Sequence, residues 1–171
     1  MGIPVIETER LILRGHCLDD FEALAAMWGD PEVARYIGGK SLTREDSWAR
    51  LLRYAGHWEL LGFGYWAVES KVSAQFIGDV GFANWRRDIT PSLEGIPEGG
   101  WVFTTASHGS GLATEAVQAA VGWIDKHFAG KKTACIIGTE NIASIRVAER
   151  AGYHEFARTD FRGSQVIQFR R

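Results

Sequence analysis

The sequence has little of several features that would assign it to a specialised class of protein. Two cysteines among 171 residues cannot build a disulfide framework, and Cys135 lies in an apolar run typical of a buried thiol. No apolar run approaches the roughly 20 residues that span a bilayer. Residues 1–7 lack the basic segment and apolar core of a secretory signal. We therefore expect a soluble protein of the reducing cytoplasm.

Charge and metal-binding side chains are equally uninformative. The formal net charge is -2, and no basic stripe is interleaved with aromatics, so we expect neither nucleic-acid nor membrane partners. The pairs Arg86-Arg87 and Lys131-Lys132 are typical of solvated surface. The five histidines are scattered without metal-ligand spacing, which predicts no metal site.

What the chain does contain is a core-forming composition. With 46% apolar residues, residues 1–171 fit one domain. The periodicity predicts a run of strands interrupted by one strand-helix-strand crossover, which indicates a mixed sheet with helices on both faces. The expected strands are 5–14, 63–69, 76–82, 101–103, 133–137, 153–157 and 165–169. Asp19 is expected to cap a first helix that runs to Gly29; the other expected helices are 31–36, 43–61, 114–128 and 141–151.

The most informative segment is 101–116, which predicts a strand, a glycine-rich turn and the start of a helix. Gly109 and Gly111 can adopt conformations that a Cβ disfavours. The first amides of the helix would then face an anion, which the helix dipole also favours. An ordinary tight turn between strand and helix fits the same residues equally well.

The turn could hold a nucleotide triphosphate, a dinucleotide or another phosphorylated cofactor. A triphosphate loop needs Lys followed by Ser or Thr, which are absent. A dinucleotide fold needs a third Gly or Ala where this chain has Thr114, and several successive strand-helix units. Glu140 could mimic the ribose-binding acid of that fold, so a dinucleotide enzyme remains open beside the two hypotheses given below.

Four motifs resemble the GNAT superfamily of acyl-CoA-dependent N-acetyltransferases, and within it the branch of the RimJ and RimL ribosomal-protein N-terminal acetyltransferases. They occur in the family's order and cover most of the chain. The motifs are Glu7 to Arg14, Ile77 to Phe82, His108 to Ala113 and Asn141 to Tyr153.

The resemblance implies an α/β (α+β) fold: a mixed, mostly antiparallel sheet of six to seven strands with a splayed pair of central parallel strands, here 101–103 and 133–137. Acetyl-CoA would lie between them as co-substrate, its pantetheine arm paired with the strand edge and its pyrophosphate on the turn. Asn141 and Ser144 also serve locally as an N-cap and a first-turn residue. The implied cofactor contacts are Trp101, Val102, Phe103, His108, Gly109, Ser110, Gly111, Leu112, Ala113, Thr114, Asn141 and Ser144.

The implied reaction is direct attack of a neutral amine on the thioester. An alkylamine is protonated at neutral pH, so a base must remove a proton. Glu98 matches the family's position for that base; a solvated loop glutamate is the equal alternative. A backbone N–H of strand 101–103 would stabilise the oxyanion. Where the family often places a tyrosine to protonate the thiolate, this chain has Ala148. Either Ser144 takes that role, or the thiolate, with a pKa of about 8.5, leaves without assistance.

Other positions depart from the family or remain open. The family usually has Gln or Arg at the position of His108 and often a cationic residue at that of Ser110. Phosphate binding in this chain should therefore depend more on backbone amides. Gly99-Gly100 fits a bulge or a flexible loop end equally. Acceptor specificity is expected from Tyr36, Gly38 and Gly39 and from the turn at 159–164.

These observations lead to one principal hypothesis: an N-acetyltransferase that transfers acetyl from acetyl-CoA to a primary amine, either a protein N-terminus or a small molecule. It would act as a monomer or homodimer. The alternative is a catalytically silent CoA-binding sensor or interaction module, because the tyrosine is missing.

Overall fold

The computed structural model describes residues 2–171 as an eight-stranded sheet in the order β1-β2-β3-β4-β5-β6-β8-β7. All strand pairs are antiparallel except β5 with β6, which confirms the mixed, mostly antiparallel fold. The strands are Ile6–Glu7, Leu11–Arg14, Tyr65–Ser70, Phe76–Ala83, Glu98–Phe103, Ala134–Gly138, His154–Phe161 and Ser164–Arg170 (β1 to β8). The helices are Phe21–Gly29, Pro31–Ala34, Arg44–Leu61, Leu112–His127 and Ile142–Arg150 (α1 to α5).

The strand count exceeds the expected six or seven because the first expected strand folds back on itself. Thr8 donates its backbone N–H to Leu11 O at 3.0 Å, and Ile6 pairs with Leu13. The charged residues Glu9 and Arg10 form the tip of this short hairpin, where they remain partly exposed. Residues 5–14 therefore supply two strands.

Local signals set most helix ends. The Thr43 hydroxyl accepts the Asp46 N–H at 3.0 Å and starts α3, which ends at Gly62 with φ 72°. The expected cap at Asp19 is wrong: a 3₁₀ turn precedes α1, and the Asp20 carboxylate accepts the Cys17 N–H at 2.9 Å. Asp20 is buried and also accepts hydrogen bonds from Arg14, whereas Asp19 is exposed.

Helices cover both faces of the sheet, as expected. One face packs on α4 and α5, with Val117, Ile124 and Ala148 in a core that also buries Cys135 and Tyr153. The other face packs on α1 and α3 through a second cluster of buried residues: Leu24, Met27, Trp28, Leu51, Tyr54, Tyr65 and Val102. Residues 88–97 cover the end of the sheet on this second side, where Ile89 and Leu93 are buried.

The parallel strands β5 and β6 diverge. They pair at their first residues, Glu98 and Ala134, and no further register is formed along them within residues 2–171. The splayed pair is therefore confirmed, and its gap opens toward the carboxyl ends of both strands. No helix of the described chain is both long and apolar enough to cross a membrane.

Gly99 and Gly100 belong to β5 itself, so both expectations for them are wrong. The register between β4 and β5 runs without a shift, which leaves no bulge and no loose end. The physical reason is side-chain packing on opposite faces. A Cβ at Gly99 would lie 3.1 Å from the Tyr153 hydroxyl, and one at Gly100 would collide with the Tyr65 hydroxyl.

Candidate active site

The gap beside β5 presents backbone groups without strand partners. Thr104 donates its N–H to a β4 carbonyl at 2.9 Å, whereas the Pro97 carbonyl accepts the first N–H of β6 at 3.1 Å. Because backbone groups alternate in direction along a strand, those of Trp101 and Phe103 point into the gap. These are the two residues that the sequence predicts at the strand edge.

One of these groups is already engaged. His108 donates its Nε2–H to the Phe103 carbonyl at 3.1 Å, so its ring turns back toward the strand end. The groups that remain toward the gap are both backbone groups of Trp101 and the Phe103 N–H. An extended, amide-bearing ligand could add to this edge as a strand does.

The glycine turn has the backbone that the sequence predicts. Gly109 and Gly111 have φ of 73° and 78°, in the left-handed region that favours glycine. Gly111 is the N-cap of α4, so the helix starts at Leu112, two residues earlier than expected. The amides of its first turn have no helical acceptor, so together with the helix dipole they could hold an anion.

The turn also receives a guanidinium that sequence reasoning missed. Arg10, at the tip of the β1–β2 hairpin, donates Nη1 to Ser110 O at 2.9 Å and Nε to Glu115 Oε2 at 2.7 Å. The Glu115 carboxylate also accepts from the Thr8 hydroxyl at 2.6 Å. The opening motif was visible in the sequence, but its partner lies about a hundred residues further along the chain.

The hydrogen bonds from Thr8 and Arg10 determine the protonation state of the Glu115 carboxyl. Partial burial raises the pKa of its carboxyl, but hydrogen bonds from Thr8 and Arg10 outweigh burial and lower the pKa overall. Glu115 therefore stays ionised and faces the hairpin. The first-turn amides of α4 are left free for another anion.

The α5 end of the site is built around Asn141. Its Oδ1 accepts the Ser144 N–H at 3.2 Å, so the N-cap prediction is confirmed. Ser144 is half-buried, and within residues 2–171 its hydroxyl forms no hydrogen bond.

The segment after α2 lies across the open end of the gap. A Cβ on Gly138, the last residue of β6, would lie 3.9 Å from Tyr36 O. On the other side, Asp30 accepts from the Thr105 hydroxyl at 2.7 Å. Gly38 and Gly39 follow with φ of 80° and 69°. Of the predicted acceptor residues, Tyr36 therefore lies beside the end of β6, and Gly38 and Gly39 follow it along the chain.

Glu98 is a buried carboxylate rather than a solvated loop residue. It is 6% exposed, and Arg87 donates Nε to both of its oxygens at 2.9 Å. Burial raises the pKa of the Glu98 carboxyl, and the Arg87 hydrogen bonds and charge oppose that rise. The expectation of a solvated Arg87 is wrong, because the guanidinium neutralises a charge at the closed end of the gap.

Arg87 also connects Glu98 to the last hairpin. Its Cζ lies 5.4 Å from the Phe161 ring and 5.5 Å from the Trp85 ring. The predicted turn at 159–164 therefore reaches the surroundings of Glu98. Trp85 is half-buried and stands between Arg87 and α3, where Arg53 approaches its ring at 5.4 Å.

The structure thus distributes the predicted residues along the gap. Glu98 lies at its closed end, Trp101 and Phe103 line one edge, and residues 108–114 form the turn beyond. Val102 instead points its buried side chain into the α1–α3 layer. No group of three metal-ligating side chains occurs among residues 2–171.

Comparison with known proteins agrees with this geometry. Residues 10–154 match the model of the acetyltransferase (GNAT) domain. Two Bacillus subtilis proteins are similar along most of their length. YkkB is 31% identical, over 86% of this chain and 83% of its own, and YoaA, described as an uncharacterized N-acetyltransferase, is 27% identical, over 89% and 84%.

Solved structures share the fold. A GNAT-family acetyltransferase from Bordetella pertussis superposes with a TM-score of 0.87 at 29% identity, over 98% of this chain and 99% of its own. The ribosomal-protein acetyltransferase RimL, solved with coenzyme A, superposes with a TM-score of 0.78 at 13% identity, over 98% and 97%. The resemblance to the RimJ and RimL branch therefore extends to the fold.

Proposed function

This chain belongs to the GNAT acetyltransferase family, and we propose that it transfers acetyl from acetyl-CoA to a primary amine. The observation that carries the proposal is the gap between β5 and β6, which has unpaired backbone groups on one edge and an anion site at its end.

Each part of acetyl-CoA has a counterpart in the gap. Trp101 and Phe103 would bond the pantetheine amides as an added strand. The amides of 109–113 would hold the pyrophosphate, with Arg10 adding positive charge at the same turn. Val102, Thr114 and Asn141 would complete the surroundings by packing and by holding the two helix starts. RimL, which was solved with coenzyme A, has the same fold.

The chemistry needs a base, an oxyanion donor and a leaving thiolate. Glu98 would take the proton of the amine, directly or through water, because its carboxylate is buried, paired with Arg87 and at the closed end of the gap. The Trp101 N–H would stabilise the oxyanion. The Ser144 hydroxyl, which has no partner among residues 2–171, would protonate the thiolate.

Acetyl-CoA-dependent turnover tests the proposal. The purified chain is incubated with acetyl-CoA and a panel of small amines and peptide N-termini, free thiol is measured, and acetylated products are identified by mass spectrometry. We expect one class of amine to be acetylated. Tight binding of CoA without transfer to any amine would support the silent CoA-binding module, and tighter binding of NAD than of CoA would support the dinucleotide enzyme.

A further inference from the structure

The α3 residue Arg50 is a half-buried guanidinium without a carboxylate partner. It stacks on the Trp28 ring at 3.8 Å, and its Nη1 donates to the Tyr54 hydroxyl at 3.3 Å. Its Nε is buried and has no hydrogen-bond partner. Within residues 2–171, Arg50 forms no ion pair.

Most hydrogen-bond donors of this guanidinium lack an acceptor among residues 2–171, and its charge lacks a bonded counter-ion there. Arginine carries five N–H donors and stays charged, and buried charges in proteins are normally paired. The buried carboxylate whose charge acts on Arg50, Asp79, is occupied: it accepts from His16, Trp28 and Tyr54 at 2.8, 3.0 and 3.2 Å. Asp79 therefore supports Arg50 only through the Tyr54 hydroxyl, and the outer donors of the guanidinium remain available.

Arg50 lies on the same side of β5 as Glu98. Tyr54 stacks on Tyr65 at 4.6 Å, and the Tyr65 hydroxyl fills the space above Gly100, two residues along β5 from Glu98. Burial raises the pKa of the Tyr65 hydroxyl, and the charges of Glu98 and Arg50 both act on it. An amine that approaches Glu98 from the α1–α3 side therefore passes close to Arg50.

The Glu98 carboxylate also has a partner already, because Arg87 donates to both of its oxygens. Arg53 adds a further cation near Trp85 without an ion pair in the described chain. Arg50, Arg53 and Arg87 are matched by three carboxylates, Asp79, Glu98 and Asp46, and the charge of Asp46 also acts on Arg50. The outer donors of Arg50 nevertheless bond no carboxylate within residues 2–171, so they are open to an acid group of the acceptor.

We propose that Arg50 binds a carboxylate of the acceptor, so that the preferred substrate is an amine that also carries an acid group. This inference rests on the proposed acetyltransferase function. A free amino acid supplies such a group through its α-carboxylate, and a peptide supplies it through an acidic residue near its N-terminus. In both cases the planar guanidinium would bind the carboxylate through paired N–H donors.

Matched acceptor pairs test the inference. We compare kcat/KM for tyrosine against tyramine and for histidine against histamine, which differ in the carboxylate. Amidated peptides that begin Ser-Asp and Ser-Asn make the same comparison for a carboxylate that belongs to a peptide side chain. We expect a preference of about tenfold or more for the acid-bearing member of one type of pair, the size of one charge-assisted hydrogen bond.

Variants connect that preference to Arg50. Arg50→Gln should abolish the preference and leave KM for acetyl-CoA unchanged, and Arg50→Lys should restore part of it. Arg44→Gln removes an exposed, ion-paired charge from the same helix and should preserve it. Two results would overturn the inference without touching the proposed function. One is an equal kcat/KM for both members of every pair, and the other is an equal loss of kcat/KM for both members in Arg50→Gln. Absence of transfer to any amine would overturn the proposed function as well.

Discussion

At the scale of single residues, the pair formed by Arg87 and Glu98 controls the ionisation of the proposed base. Burial and the guanidinium act in opposite directions on the pKa of the Glu98 carboxyl, and burial prevails. A base must be ionised to accept a proton, so activity should rise with pH through this pKa.

Removal of the guanidinium should therefore shift the pH dependence. In Arg87→Met the carboxyl loses the groups that lower its pKa, so the acid limb of the kcat/KM profile should move to higher pH. The profile is measured with one acceptor at saturating acetyl-CoA. An acid limb at the same pH in both proteins would show that Glu98 is not the titrating base.

Substitution of the base itself gives the second prediction. Glu98→Gln keeps the size of the side chain and an oxygen for Arg87, but it cannot accept the proton. We expect kcat to fall by roughly 10²–10⁴-fold, with CoA affinity unchanged by calorimetry. Glu94→Gln, an exposed carboxylate of the segment before β5, is the control and should retain full activity. Loss of less than tenfold in Glu98→Gln would argue against a general-base role.

Arg10 gives the third prediction, because its charge is the nearest cation that the structure places at the glycine turn. Arg10→Met should raise KM for acetyl-CoA by about tenfold, in line with the loss of one charge-assisted contact, with little change in kcat. Lys71→Met removes a neighbouring cation that bonds Thr8 O and should leave KM near its original value. Equal KM values in both variants would mean that Arg10 does not assist phosphate binding.

At the scale of elements, the glycine turn shows what local sequence can predict. Gly109 and Gly111 adopt the expected left-handed backbone because no side chain of another element is needed to impose it. The N-caps at Thr43 and Asn141 were predictable for the same reason. The order of the elements also follows from periodicity and punctuation.

Features that depend on distant residues were not predictable. The sequence predicts a bulge or a flexible loop end for the glycines at the start of β5, because nothing near them shows that Tyr65 and Tyr153 occupy the space on either face. Arg10 at the turn and Arg87 on Glu98 are also tertiary contacts, with their partners 100 and 11 residues away. The sequence identifies the candidate residues but not their electrostatic partners.

The prediction for the elements compares the glycine at the N-cap of α4 with a glycine inside the same helix. Gly111→Ala forces a Cβ into a φ of 78°, which should cost about 1 kcal/mol and misplace the first amides of α4, so CoA affinity should fall. Gly122→Ala lies inside α4, where nothing lies within 4 Å of the new Cβ, and it should stabilise the protein slightly. Unchanged CoA affinity in Gly111→Ala would show that the amide geometry is not required.

At the scale of the whole molecule, a buried ion pair joins the first hairpin to the helical layer. Arg14 donates two hydrogen bonds to Asp20 at 2.9 and 2.8 Å. Burial raises the pKa of the Asp20 carboxyl, but the bonds from Arg14 and Cys17 lower it overall. A pKa that is lower in the folded state stabilises the protein above the unfolded value, and this stabilisation is lost as the pH falls.

Asp20→Asn should therefore reduce the free energy of unfolding at pH 7 by about 3 kcal/mol. The difference from the original protein should shrink as pH falls below about 4, the unfolded pKa of aspartate. Denaturant titrations at several pH values measure both effects, with exposed Asp19→Asn as the control. A difference that is constant with pH would contradict the ion-pair explanation.

The central claim is that the gap between β5 and β6 holds acetyl-CoA, and a crystal structure of this chain with CoA tests it most directly. The account predicts the pantetheine arm between the two strands, bonded to backbone groups of Trp101 and Phe103, and the pyrophosphate on the amides of residues 109–113. CoA bound elsewhere on the surface, with the gap and the glycine turn empty, would contradict it.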